Sequence, residues 1–80
     1  MFYTYIIYSK STDKYYVGYT HDLKIRLERH NTGWSRSTKS GIPWKLVYSE
    51  EFKTKSEAIK RENEIKRKKS RKYIDGLIRK

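Results

Sequence analysis

The apolar positions of this chain change period several times, and each change marks an element. Phe2 to Tyr8 is aromatic and β-branched almost throughout, which predicts a strand. Lys10-Ser11-Thr12-Asp13-Lys14 is polar turn material, and Tyr15 to Tyr19 is apolar again, so residues 2–19 read as a β-hairpin. From Leu23 the period lengthens. Thr20 or Asp22 can cap a helix running to about Asn31, with Gly33 as its stop. Residues 32–43 read as a polar loop. Trp44, Leu46 and Tyr48 then alternate with Lys45, Val47 and Ser49, which predicts a third strand, half buried. Thr54-Lys55-Ser56-Glu57 has the form of a capping box and opens a helix to about Lys69. A last short helix, from Arg71 to Ile78, has Tyr73, Ile74, Leu77 and Ile78 as its apolar side, weakened by Gly76. The sum is an α+β fold: a small three-stranded antiparallel sheet flanked by about three helices. No repeat, linker or second hydrophobic pattern interrupts it, so one domain over residues 1–80 is expected.

Composition narrows the supports available to such a small domain. There are no cysteines, which removes disulfides, and no Cys/His cluster that would make a structural zinc site. The core must come from aliphatic residues and twelve aromatics, eight of them Tyr, whose hydroxyls need partners or water. No apolar run approaches the ~20 residues of a membrane span. The N-terminus lacks a basic n-region and a small-residue cleavage site, so a cytoplasmic protein is expected.

Charge adds a partner. Twenty Lys and Arg stand against nine Asp and Glu, for a formal charge of +11, and residues 41–80 hold thirteen of the basic ones. Such a field attracts polyanions. Nucleic acid is the leading partner, and an anionic membrane surface is the competitor. Lys66-Arg67-Lys68-Lys69 is the densest block and suits phosphate contact better than base reading. Trp34 and Trp44 are the aromatics able to stack on bases, Trp44 being the better core candidate.

Five residues carry candidate chemistry: Tyr5, Tyr16, Arg26, His30 and Glu62. Tyr5 and Tyr16 are eleven apart, and a hairpin register pairing odd with even residues puts them on one face. Either phenol could serve a proton transfer, or both could be ordinary strand aromatics. Gly18 after Tyr16-Val17 suits close approach of a backbone or ligand. On the first helix, Leu23, Leu27 and His30 share one arc at about 100° per residue, and Arg26 borders it. Arg26 could stabilise phosphate charge or simply pair with Asp22 one turn back. His30 could move a proton or hold a phosphate, or it could cap the helix end. Glu62 falls inside the apolar arc of the second long helix, with Ala58 and Ile65. A carboxylate there must be paired, protonated or metal-bound. The structural alternative is an ion pair to Arg26 or Arg61. No second carboxylate stands at a useful spacing, so a two-metal site is not expected. One hard cation held by one carboxylate, phosphate and water describes Mg²⁺.

These residues resemble the GIY-YIG endonuclease family, in the compact form related to the N-terminal nuclease domain of UvrC. The resemblance is carried by Tyr16-Val17-Gly18, by Arg26 and His30-Asn31-Thr32-Gly33, and by Glu57-Ala58 with Arg61-Glu62 after the capping box. Tyr3-Thr4-Tyr5 stands where Gly-Ile-Tyr is expected, so only Tyr5 matches in the first half. The resemblance implies Mg²⁺ (with Mn²⁺ as substitute) on Glu62 and Arg26 near the scissile phosphate. It implies that Tyr16 or Tyr5 activates water, Tyr16 being favoured, with His30 assisting. The implied reaction is hydrolysis of a DNA phosphodiester, with DNA repair, recombination and mobile-element roles all open. With little room for a specificity domain, selectivity is expected to come from DNA shape or a protein partner. A non-catalytic basic nucleic-acid-binding module is the alternative, and a structural protein binding acidic partners is a third reading.

Overall fold

The computed structural model describes residues 1–79. Its elements run β1 (Phe2–Ser9), β2 (Lys14–Thr20), α1 (Leu23–Asn31), α2 (Arg36–Lys39), β3 (Trp44–Phe52), α3 (Lys55–Lys68) and α4 (Arg71–Ile78). The three strands form one antiparallel sheet in the order β2-β1-β3. The expected α+β architecture is present with four helices rather than three. The addition is α2, a single turn inside the segment expected to be a loop, opened by Ser35.

Local chemistry explains the helix bounds. Asp22 caps α1, its Oδ1 accepting from the Ile25 amide at 3.0 Å, and Gly33 follows with φ of 79°. Thr54 and Glu57 make the reciprocal capping box of α3. Ser70 caps α4, accepting from the Tyr73 amide.

Each face of the sheet carries its own core. Alternation along β1 sends Ile6 to one side and Tyr5 and Ile7 to the other. Ile6 joins Val17, Ile65 and Leu77 beneath α3 and α4. On that side the buried Thr4 hydroxyl donates to the Ala58 carbonyl at 2.7 Å, tying β1 to α3. Tyr5 and Ile7 join Trp44, with Leu23 and Leu27 of α1 packed against them.

β3 departs from its expected alternation. Ile6 pairs with Tyr48 but Ile7 with Leu46, which leaves Val47 as a bulge. The bulge changes the parity of the strand. Trp44 and Leu46 pack on the α1 side, whereas Val47 and Tyr48 both pack beneath α3 and α4. The strand also continues to Phe52, beyond the alternating segment that ends at Ser49.

Candidate functional site

Tyr5 sits in the central strand directly opposite Gly18 of β2. The missing side chain at Gly18 is filled by the tyrosine itself. A Cβ there would lie 2.6 Å from the Tyr5 hydroxyl oxygen and 2.8 Å from the ring carbon that bears it. The close approach expected at this glycine is therefore made by a neighbouring ring. Tyr16 pairs with Ile7, two residues along from Tyr5, so both tyrosines occupy the α1 face, as the odd–even register requires. Tyr5 is 2% exposed, whereas Tyr16 is half-buried.

α1 lowers His30 onto this pair. The histidine is buried in the last turn, with its ring centroid 5.9 Å from Tyr5 and 5.1 Å from Tyr16. Its Nε2 lies 2.9 Å from the Tyr5 hydroxyl, and its Nδ1 lies 3.0 Å from Oγ1 of Thr38 in α2. Thr38 donates to the Ser35 carbonyl, which leaves its oxygen to accept from Nδ1–H. His30 is then the Nδ1–H tautomer, assigned from this bonding pattern, and Nε2 accepts the Tyr5 proton. His30 does not cap the helix carbonyls, the structural role open to it from the sequence. Burial, aided by the Arg26 charge, holds its pKa below the ordinary value. Burial pushes Tyr5 up to about 12, against the opposing pull of Arg26. Both groups are thus neutral near pH 7.

Thr38 is invisible in the sequence, where it lies in a polar stretch of no clear period. Its position is secured by Trp44, whose indole Nε1 donates to the Thr38 carbonyl at 2.7 Å. Gly41 leaves the space for that indole. Asn31 clamps the same tryptophan from α1, donating to its carbonyl and accepting from its amide.

Arg26 precedes His30 by one turn. With Tyr16, Arg29, His30, Trp34 and Ser35 it lines a cup of about 150 Å³. The ion pair with Asp22 does not form, because that carboxylate caps the helix instead. Among the described residues, no carboxylate lies within 4 Å of the Arg26 guanidinium. Arg29 stacks 5.2 Å over the exposed Trp34 at the rim, so the cup carries two arginines and no acid.

Glu62 comes from the other layer. It lies on the stripe of α3 between the buried Ala58 and Ile65, and its side chain is only 12% exposed. Neither arginine suggested by the sequence is its partner. Lys66, one turn on, binds it at 2.8 Å. Arg61 is occupied by Glu50 at 3.0 Å and by the Tyr73 hydroxyl at 3.2 Å. Glu62 does not line the cup, yet it is near enough to Tyr5 to raise that phenol's pKa. Lys66 spans the gap, its ammonium 5.8 Å from the Tyr16 ring centroid. Four of the five candidate residues therefore converge on one face, and the fifth approaches from the opposite side.

A model of the GIY-YIG catalytic domain matches residues 1–74 of the chain. The chain belongs to the GIY-YIG family. UPF0213 proteins of Staphylococcus aureus strains Mu3 and MW2 are 52% identical over 52 residues, which is 64% of this chain and 63% of theirs. The match thus spans just under two thirds of those curated relatives. The solution NMR structure of a UPF0213 protein from Bacillus halodurans superimposes with a TM-score of 0.59 at 34% identity, covering 98% of this chain and 83% of that one. Nuclease activity is what the GIY-YIG domain implies in general.

The divergent first half of the GIY-YIG signature is accommodated without loss of Tyr5. Position 3 is half-buried near the sheet end, opposite Thr20 and Glu51, so a tyrosine fits where glycine is expected. Among the described residues, no three His, Cys, Asp or Glu gather into a metal cage. A cation at Glu62 would have to displace Lys66 and would keep water and phosphate as its other ligands.

Proposed function

We propose that this GIY-YIG domain is a Mg²⁺-dependent DNA endonuclease that hydrolyses a phosphodiester with tyrosine-assisted water activation. The observation that carries this reading is Arg26, without a carboxylate partner among the described residues, in a cup shared with Tyr16 and the buried His30. A guanidinium without an acid partner, at the mouth of a chain with formal charge +11, is suited to a phosphate.

Tyr16 is the tyrosine that lines the cup, so its hydroxyl is the one offered to an attacking water. Tyr5, buried and with its pKa raised to about 12, is a positioning group: its O–H holds His30 at Nε2. Thr38 holds the ring at its other nitrogen, so the imidazole is fixed at both ends. His30 is held neutral with Nε2 facing the Tyr5 hydroxyl, so a proton released in the cup would reach it by relay, Tyr5 passing its own proton to Nε2 as it takes up the new one. Arg26 would bind a non-bridging phosphate oxygen and stabilise the charge that builds there. Glu62 would hold Mg²⁺, with Lys66 displaced. Bound there, the ion would supply charge neutralisation at the phosphate. A cytoplasmic DNA-repair setting and a specificity-giving protein partner are part of this proposal.

The test is cleavage of supercoiled and branched DNA with Mg²⁺ or Mn²⁺, comparing wild type with Glu62→Ala. Cleavage by wild type and its loss in the variant is expected. Equal cleavage by both would sink the assignment. Salt-sensitive binding without cleavage under any divalent metal would instead select the non-catalytic binding module.

A further inference from the structure

A shallow, open depression of about 310 Å³ lies where β2, α3 and α4 meet, outside the site just described. Four cations line it: Lys14 of β2, Lys66 of α3, Lys69 between the helices and Arg71 of α4. Its one carboxylate, Asp13, is already consumed. Arg71 binds it at 2.6 Å and the Tyr8 hydroxyl donates to it. Among the described residues, Lys14 and Lys69 have no carboxylate within 4 Å. The N-terminal end of α4, capped by Ser70, opens on the same space and adds its positive dipole. The walls below are buried apolar residues, Val17 and Ile65, so the charge is gathered at a rim over a low-dielectric floor.

We propose that this depression is a second phosphodiester subsite, gripping the nucleic-acid backbone beside the segment held at Arg26 and Tyr16. The occupant follows from charge: Lys14 and Lys69, free of carboxylates among the described residues, stand beside the paired Lys66 and Arg71 and a helix N-terminus, and the net positive set fits a repeating monoanion. Lys66 supplies continuity. It lines the depression, binds Glu62 at 2.8 Å and lies 5.8 Å over the Tyr16 ring. A strand lying at the cup would therefore pass Lys66 to reach Lys14 and Lys69. The subsite rests on the nucleic-acid reading above and adds where the flanking strand is held.

Lys69 permits a clean test. It has φ of 47°, a left-handed conformation that glycine adopts more readily than lysine. Lys69→Gly should therefore melt no lower than wild type while removing a cation. Binding of a labelled DNA duplex is followed by fluorescence anisotropy in EDTA, so that no cleavage occurs. The comparison is wild type, Lys14→Ala/Lys69→Gly, and Lys45→Ala/Lys53→Ala, which removes equal charge from β3 and the loop after it. The first pair should weaken binding and lower the log–log salt slope by about 2, at roughly 0.9 for each phosphate no longer neutralised. The control pair should leave the slope nearly unchanged. Equal weakening by both pairs, or none by the first, would overturn the subsite alone. Wild-type binding that ignores salt would overturn the nucleic-acid reading with it.

Discussion

The two faces of the sheet are built from the same strands and differ in what they bury. Beneath α3 and α4 the core is aliphatic, with Ile6, Val17, Ile65 and Leu77 packed together and the buried Thr4 hydroxyl tied to the Ala58 carbonyl. Beneath α1 and α2 the buried Ile7 is joined by Tyr5, Trp44, His30 and Thr38, four residues that each carry a polar atom with a partner. The first face gains mainly from removing carbon from water. The second gains less per residue and depends on satisfying every donor, which fixes one arrangement of its rings. One-residue alternation thus lets three short strands separate a cohesive aliphatic face from a hydrogen-bonded one. Glu62 is the exception, a carboxylate mounted on the cohesive layer.

That separation can be broken first on its cohesive side. Ile65→Ala empties the aliphatic core and should cost about 2–5 kcal/mol, a large part of the stability of so small a domain. A urea melt checks it. Arg26→Ala should do the opposite. Turnover should fall about 10²–10³-fold, or ~3–4 kcal/mol in the barrier, while stability moves by less than about 1 kcal/mol. A fall in activity matched by an equal fall in stability would erase the contrast between the faces. Gly18→Ala should register on both scales. The added Cβ, 2.6 Å from the Tyr5 hydroxyl oxygen, forces that ring away from His30, for about 1–3 kcal/mol of overpacking with reduced turnover. The smallest effect is a pH dependence. His30 is depressed when folded, so the unfolded chain protonates first, near ~6.5. Stability should hold above that value and decline as the pH falls from it through the lower folded pKa. Melting temperatures between pH 7.5 and 5 should fall in wild type and fall less in His30→Gln.

Much of this division is legible in the sequence, for reasons that are local. The capping box at Thr54 and the run from Arg71 to Ile78 fix their helices through hydrogen bonds made within a few residues. The tyrosine pair follows from strand parity once the hairpin register, which the structure supplies, pairs odd residues with even ones. The features that escape are tertiary. The bulge at Val47 has no turn residue to announce it; it lets Val47 and Tyr48 share the aliphatic core while Leu46 stays on the other face. Thr38 owes its place to Trp44 and Ser35 rather than to any pattern of its own, although a serine ahead of Arg36 is a weak cap signal. Glu62 lies on the apolar arc that its spacing predicts, but its partner is not one of the arginines that the sequence suggests. Lys66, at the i+4 position that helices favour, is nearer.

The tyrosine ring seated over Gly18 has a consequence for how this domain can change by mutation. Positions 5 and 18 are one unit written in two places. With tyrosine at 5, any side chain at 18 must push the ring aside. With a small residue at 5, the same alanine at 18 would fill a void and become favourable. The sign of a substitution at one position thus depends on the letter at the other. A lineage that abandoned the tyrosine could then fill position 18, and that step would bar the way back. The pair would act as a ratchet, with glycine at 18 the mark of a chain that has kept its tyrosine.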